Sequence, residues 1–375
     1  MSNDQALVVM VEPQPTMRGP QRTLLELATY AARRSDVLVA VPEGFVSRIL
    51  RQEASNVRLL PLPFHNSRVA SWTQGASALL AALNSERRPV LIHANGLSAL
   101  NLAAPVARRL DAPVLVHFHA YEILPRSRVY LSLWRWLGVR MRFFPVSEFS
   151  RGLLEGTSVR PLVRAVLPNP VDCAASHVER DGPRTPFRVG FVGGRTPRKG
   201  LDLLIEIADL LRDEHVEWRV YGISVDRRNS YLDRCRLEIR RRGLERNIRW
   251  LGKFEDPRSA YSSMDALLIP SRQESFSRVA LEGMASGLPV IATRVTGLSE
   301  VISDDVSGLL FDPQRPQEGA DHVRRILHDS GLRARLMTVG RRTANRFDLS
   351  AVGRTLDGFY RELLASSGPG HTDGH

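Results

Sequence analysis

Cysteine is nearly absent from this chain: among 375 residues only Cys173 and Cys235 are cysteine. Two isolated thiols make neither a CxxC metal pair nor a disulfide framework, which suits a reducing cytoplasm. Long apolar runs are missing too. No stretch approaches the roughly 20 apolar residues needed to cross a bilayer. The opening "MSNDQALVVMVEPQP" lacks the basic n-region and the apolar length of a secretory signal. The expected location is therefore cytoplasmic, at most peripheral at the inner face of the membrane. No two Asp residues lie two positions apart, so a metal-holding Asp-x-Asp is absent. His117 and His119 fall on one side of a strand without a third ligand, so no metal is expected. No helix-turn-helix, zinc spacing or aromatic RNA-binding signature occurs either, which argues against nucleic acid as the partner.

What is present is the mix of a soluble globular protein, 43% hydrophobic and 25% charged. The length exceeds one ordinary core, so two domains are expected. The net charge is +12, nearly all of the cations being arginine. Such a chain is drawn to polyanions such as acidic lipid headgroups or phosphorylated small molecules. A general arginine habit would give the same count, so the charge alone decides nothing.

Apolar strands alternate with amphipathic helices along most of the chain, the pattern of parallel sheets covered on both faces. The alternation stops and restarts around "NPVDCAASHVERDGPRTP", residues 169–186, which is polar and broken by prolines. The expected division is an N-terminal domain over 1–168, a linker over 169–186 and a C-terminal domain over 187–348. A helix over 349–365 and a disordered tail over 366–375 follow. The fold class is α/β, with two Rossmann-like doubly wound domains facing across a cleft. Open sheets of this kind bind ligands at the carboxyl ends of their strands.

Two stretches carry chemistry. In "QESFSRVALEGMASGLPVIAT", residues 273–293, Glu274 follows a strand and precedes a helix, and Glu282 lies inside that helix. Phe276 and Ser277 open the helix, whose first N–H groups suit an anion. One extended ligand, a nucleotide diphosphate bearing a sugar, would use both carboxylates as acceptors for hydroxyls. A solvated helix with acidic residues near its positive end is the bland alternative. In "VGFVGGRTPRKG", residues 189–200, Gly193 and Gly194 end a strand, and Arg195, Arg198 and Lys199 cluster before Gly200. Glycines admit a close backbone approach and the cations suit a pyrophosphate. The spacing is neither a dinucleotide fingerprint nor a Walker loop.

These stretches resemble the retaining glycosyltransferases of family 4, which have the GT-B fold. "ESFSRVALE" is similar to that family's E-x7-E element and "FVGGRTPRKG" to its phosphate loop. "LPNPVD", "FPVSEFSRGLL", "VHFHA" and "GLSEVISDDVSGLLF" resemble further segments of it in the right order. The resemblance implies a nucleotide-diphosphate sugar as donor, held without a metal or other cofactor. It implies that Glu282 takes the ribose hydroxyls and Glu274 those of the transferred sugar. Phe276 and Ser277 would offer backbone N–H groups, beside Gly193 and Gly194, while Arg195 and Lys199 neutralise the leaving diphosphate. From the first domain, Gly19 would lie near the diphosphate and His119 beside the sugar. The final helix is expected to cross back to the first domain. Aligned without gaps, Arg195 falls one place after the family's arginine.

The acceptor implied is a glycan, lipid-linked or small-molecule hydroxyl, in cell-surface polysaccharide or glycolipid synthesis. Rival readings are another GT-B activity, an epimerase or phosphorylase, and a polyanion-binding protein with a degenerate site. The stretch 126–144 mixes aromatics, Trp134 and Trp136 among them, with arginines. It reads either as an interfacial helix drawn to anionic lipid or as a basic helix packed on the first domain.

Overall fold

The computed structural model describes residues 6–120, 122–176, 178, 184–222, 229–253 and 257–366. Residues 177 and 179–183 of the expected linker, and the expected tail beyond Ser366, lie outside these. The chain divides into two compact units. One comprises Met1–Pro170 with Leu349–His375, and the other Val171–Asp348.

The first unit holds strands β1 (Leu7–Val11), β2 (Asp36–Pro42), β3 (Arg58–Leu62), β4 (Val90–Ala94), β5 (Val114–Phe118) and β6 (Met141–Pro145). Between and after them run helices α1 (Gly19–Ala31), α2 (Phe45–Glu53), α3 (Arg68–Leu83), α4 (Leu97–Leu110), α5 (Pro125–Trp136) and α6 (Glu148–Glu155). The sheet order is β3-β2-β1-β4-β5-β6 with every pair parallel. A central strand of such a sheet is buried on both faces and needs a continuous apolar run. β1, "LVVMV", meets that need, since all its side chains are buried. Its alternating side chains feed two cores. Leu7, Val9 and Val11 pack with Ile92 and Val114, whereas Val8 and Met10 pack with Leu24, Leu91 and Leu115.

The second unit repeats the plan with β7 (Phe187–Val192), β8 (Val216–Tyr221), β9 (Ile248–Gly252), β10 (Ala266–Ile269), β11 (Val290–Thr293) and β12 (Leu309–Phe311). Its helices are α7 (Cys173–Ser176), α8 (Leu201–Leu210), α9 (Ser230–Arg242), α10 (Pro257–Ser262), α11 (Arg278–Ala285), α12 (Thr296–Ser299), α13 (Pro316–His328) and α14 (Ser330–Asn345). The order β12-β11-β10-β7-β8-β9 is again parallel throughout. The last helix, α15 (Leu349–Ala365), belongs to the first unit. There Val352, Leu356, Tyr360 and Leu363 join the core of Val8 and Met10.

In both sheets the order of strand addition therefore reverses once, between β1 and β4 and between β7 and β10. Adjacent loops leave a sheet in opposite senses at such a point, which opens a crevice beyond the strand ends. The loops after these four strands are the places to look for chemistry. The edge strand β3 shows neither a fully buried run nor a clean alternation. Every second residue of β3 being apolar would have marked it, but "RLLPL" carries an exposed proline and only Leu62 is buried.

Candidate functional site

At the switch point of the second unit, the loop after β7 and the loop after β10 are bound together. Gly200 lies at φ +73°, and a Cβ there would collide with the Pro270 carbonyl oxygen. Only glycine allows this approach at this backbone angle. The Arg272 N–H donates to the Arg198 carbonyl at 2.8 Å. The Arg272 guanidinium grips Asp202 with two parallel bonds of 2.7 and 2.8 Å. Two loops from non-sequential strands thus become one rigid platform.

Glu274 is the centre of that platform, with only 7% of its surface exposed. Its Oε1 accepts from Lys199 Nζ in a short ion pair and from Ser271 Oγ at 2.9 Å. Its Oε2 faces Arg198 Nη1 at 3.4 Å, and the same nitrogen donates to the Gln273 carbonyl at 2.8 Å. Gly297, from the turn at α12, comes so close to the Glu274 carbonyl that no Cβ would fit. A carboxylate offers about four lone-pair sites, and three donors already face this one. Room is left for roughly one more hydrogen bond. Lys199 carries three N–H bonds and spends one on Glu274, so two remain for an external acceptor. The only lysines in the chain are Lys199 and Lys253, among 52 basic residues. A compact point charge is thus retained here in a chain that otherwise uses arginine.

Glu282 lies on α11, with 16% of its side chain exposed. Tyr261 donates to its Oε2 at 2.8 Å, and Arg278 Nη2 lies 3.1 Å from its Oε1. Burial, reinforced by Glu282, holds the Tyr261 phenol well above its ordinary range, so it stays protonated as a donor. The two contacts leave acceptor capacity on Glu282 for a diol.

Several residues sit differently from the sequence reading. The helix begins at Arg278 with Ser277 as its N-cap, so Phe276 lies outside it. The Ser277 hydroxyl itself accepts from Ala280 N–H at 3.3 Å, taking one first-turn donor. The Phe276 ring stacks edge-on against Phe347 with centroids 5.6 Å apart. Gly193 donates its N–H to the Tyr221 carbonyl at 3.2 Å, while Gly194 is exposed with open space around it. Arg198, rather than Arg195, reaches Glu274. The single turn Pro197–Lys199 carries Arg198 and Lys199 toward the β10 loop, and a gap-free alignment cannot show a turn. Among the described residues the Arg195 guanidinium is half-buried and makes no hydrogen bond or ion pair.

In the first unit, Gly19 is the first residue of α1 and is exposed. His119 follows β5, and its Nε2 lies 2.9 Å from Asn95 Oδ1 in the loop after β4. Asn95 in turn donates to Glu12, directly after β1, at 2.6 Å. The motifs drew no attention to Glu12 or Asn95. The available signal is positional: each is a polar residue directly after an apolar strand beside the switch point. Burial pushes the Glu12 carboxyl up to about 7, against the lowering effect of hydrogen bonds from Asn95, Gln14 and Gln21. His117, buried beside His119, donates its Nε2–H to the Leu167 carbonyl at 2.8 Å. Burial pushes it down to about 4, so it is neutral at pH 7. Among the described residues no group of three or more His, Cys, Asp or Glu is arranged to hold a metal.

The segment 126–144 resolves into α5 and β6, and its two tryptophans part company. Trp134 packs against the first-unit core and donates Nε1–H to Asn101 Oδ1 at 2.9 Å. Trp136 is 81% exposed and lies in line with exposed Leu133 and Val129 at i, i+4 and i+7 spacing. Arg126 is exposed one turn before Val129. Among the described residues no helix is long and apolar enough to cross a membrane.

Comparison with known proteins matches both units. The family model "Glycosyl transferases group 1" covers residues 176–343, and "Glycosyltransferase Family 4" covers 17–175. D-inositol 3-phosphate glycosyltransferase from Corynebacterium jeikeium is 33% identical over 187 residues, 48% of this chain and 45% of that protein. The Salinispora arenicola protein of the same name is 35% identical over 50% of this chain and 44% of its own. The chain thus matches about half the length of these curated relatives. Among solved structures, Anabaena HepE in complex with UDP and glucose superposes with a TM-score of 0.81 at 21% identity, covering 94% of this chain and 99% of that one. Sucrose-phosphate synthase from Thermosynechococcus elongatus gives 0.79 at 18% identity, covering 96% and 100%.

Proposed function

Because the chain belongs to the group 1, family 4 glycosyltransferases, we propose that it moves a sugar from a nucleotide-diphosphate donor to an acceptor hydroxyl with retention of configuration. The observation that carries this reading is the convergence of Lys199, Arg198 and Glu274 at the switch point of the second unit. Lys199 directs its remaining N–H bonds to the β-phosphate and stabilises the charge that grows as the sugar–oxygen bond breaks. Glu274, held by three donors, is a poor nucleophile. Its role is to accept from a hydroxyl of the sugar, and the acceptor then attacks on the face the diphosphate leaves. No carboxylate intermediate and no metal enter this scheme. Glu282, fixed by Tyr261 and Arg278, takes the ribose diol. Gly194 leaves the backbone open to the diphosphate, and Arg195 supplies a further cation. His119 and Gly19 in the first unit are the proposed contacts to the transferred sugar and the diphosphate.

Anabaena HepE is described with UDP-glucose as well as UDP, which makes uridine nucleotides the first donors to try. A thermal-shift panel of nucleotide sugars tests the reading, followed by NMR of the product anomer. A shift with one nucleotide family and an α product from an α donor is expected. Lack of stabilisation by any nucleotide would refute it.

We further propose that the protein works at an anionic membrane surface, on a glycan or lipid-linked acceptor in polysaccharide or glycolipid synthesis. The exposed stripe Val129, Leu133 and Trp136, with Arg126 at its head, favours this reading. An amphipathic helix of this kind buries its apolar face at the headgroup boundary while its cations meet anionic lipid.

A further inference from the structure

Glu12 is 1% exposed, and among the described residues no cation pairs with it. Its Oε1 accepts from the Gln14 backbone N–H at 2.9 Å and its Oε2 from Asn95 Nδ2 at 2.6 Å. A buried carboxylate compensated only by amides is a costly way to stabilise a fold. An amide or an apolar side chain would fill the same space at lower cost. Groups kept in such surroundings concentrate at sites of function.

The hydrogen bonds beyond Glu12 show what it controls. Asn95 Nδ2 faces two pure acceptors, Glu12 Oε2 and the Pro20 carbonyl at 3.1 Å. Only the NH2 end of the amide can satisfy both, so Oδ1 must be the end that faces His119. Oδ1 cannot donate. His119 Nε2, 2.9 Å away, therefore carries a proton, and whenever the ring is neutral it is the Nε2–H tautomer. Pro20 stands next to Gly19 at the start of α1, so the same amide ties that loop to the imidazole.

We propose that Glu12 is a positioning residue for sugar transfer, acting through Asn95 to fix the ring orientation and the Nε2–H tautomer of His119. The inference rests on the proposed function in one respect, that His119 meets the donor sugar. Protonation of Glu12 replaces an acceptor by a donor. Each oxygen faces one N–H group and keeps a second lone pair, so the proton finds a place, but the neutral carboxyl accepts from Asn95 more weakly and frees that amide to turn. If Asn95 turns, its NH2 meets His119 and forces the other tautomer. The charged form of Glu12 is thus the one that holds the observed arrangement, and it prevails above about pH 7. The groups facing Glu12 are neutral amides: Asn95 after β4, the Gln14 backbone and Gln21 of α1. Arg22 and Glu26 of α1 pair with each other. His119 lies one hydrogen bond further on, with neutral His117 beside it.

The experiment uses the full chain and two readouts. Nitrogen-15 NMR at pH 8 identifies the His119 tautomer, its signals assigned by their loss in His119→Gln. The wild type should show Nε2–H. Folded Glu12→Gln should show a mixture or Nδ1–H, and Glu12→Asp should retain part of the wild-type signal. Hydrolysis of UDP-glucose, or of whichever donor in the panel the wild type turns over, supplies the second readout. Glu12→Gln should lower kcat about tenfold or more at pH 8 with KM nearly unchanged, as expected for loss of a transition-state contact. It should also flatten the rise of wild-type kcat with pH through 7. An unchanged tautomer in folded Glu12→Gln, or an unchanged kcat and pH profile, would overturn the inference. A wild type that binds and turns over no nucleotide sugar would instead overturn the proposed function and the catalytic half of this proposal. The tautomer signal would still report whether Glu12 governs His119.

Discussion

Replacing Lys199 by alanine should separate two effects that the structure joins. The first is stability. Truncation leaves Glu274, 7% exposed, with Ser271 at 2.9 Å and Arg198 at 3.4 Å as its remaining partners. Breaking a fully buried pair costs about 3–5 kcal/mol. Here a second cation and a hydroxyl stay in place, and the Lys199 side chain is 20% exposed. The loss should therefore be about 1–3 kcal/mol, and melting should fall by roughly 2–4 °C per kcal/mol for a unit of this size. The second effect is catalysis. A preorganised charge facing a growing negative charge typically contributes about 2.7–4 kcal/mol, or roughly 10²–10³ in kcat. Adding Glu274→Gln to Lys199→Ala removes the under-compensated carboxylate, so the double variant should recover most of the lost melting temperature. Its kcat should stay at or below that of the single variant. Thermal melts and steady-state kinetics on both proteins decide the matter. If Lys199→Ala melts early yet keeps kcat within about threefold of wild type, the lysine merely holds Glu274 and the leaving group is stabilised elsewhere.

Glu282→Ala should weaken UDP binding by about 1.5–3 kcal/mol, the usual value of a hydrogen bond to a charged group. It should raise KM more than it lowers kcat, and an unchanged calorimetric isotherm would remove Glu282 from the nucleotide site. Trp136→Ala should reduce cosedimentation with anionic vesicles and leave melting unchanged, whereas Trp134→Ala should lower the melting temperature; salt should release the bound wild type. Equal pelleting with neutral and anionic vesicles would exclude the electrostatic attraction. Glu12 should leave a mark on stability against pH. Its carboxyl titrates near 4.5 when unfolded and at about 7 when folded. Between these values the folded state holds the extra proton, so this contribution falls as pH rises from 4.5 to about 7 and stays low above it. The difference is on the order of 3 kcal/mol. Urea melts at pH 5.5 and 8 should show this slope in the wild type relative to Glu12→Gln, and equal slopes would place Glu12 in a wetter environment.

Strands such as "LVVMV" and "FRVGFV" are readable because a sheet buried on both faces leaves little room for polar residues in its central strands. The edge strand "RLLPL" lacks that constraint and blends into loop. Glu274, Glu282 and Lys199 are legible because their spacing is local to one strand–loop–helix unit. The pairing of Arg198 with Glu274 is not, since it depends on a single helical turn and on a partner 76 residues away in sequence. Glu12, Asn95 and His119 come from three separate loops, and only the strand order β1-β4-β5 makes them neighbours. The tryptophans show the same limit. Trp134 and Trp136 are indistinguishable by composition, and the helical register sends one to the core and the other to water.

The place of α15 has a consequence for how the chain is made. Tyr360, buried to within 1% and bonded to His93 at 2.7 Å, helps close the core formed by Val8, Met10, Leu91 and Leu115. Residues 171–348 are synthesised between that core and its closing helix. At 5–20 residues per second this is a delay on the order of 10–40 s. The second unit is contiguous and has all its own strands before α15 leaves the ribosome. The unit begun first is completed last, and through that interval α1 and α2 cover its apolar sheet face without the helix that closes it.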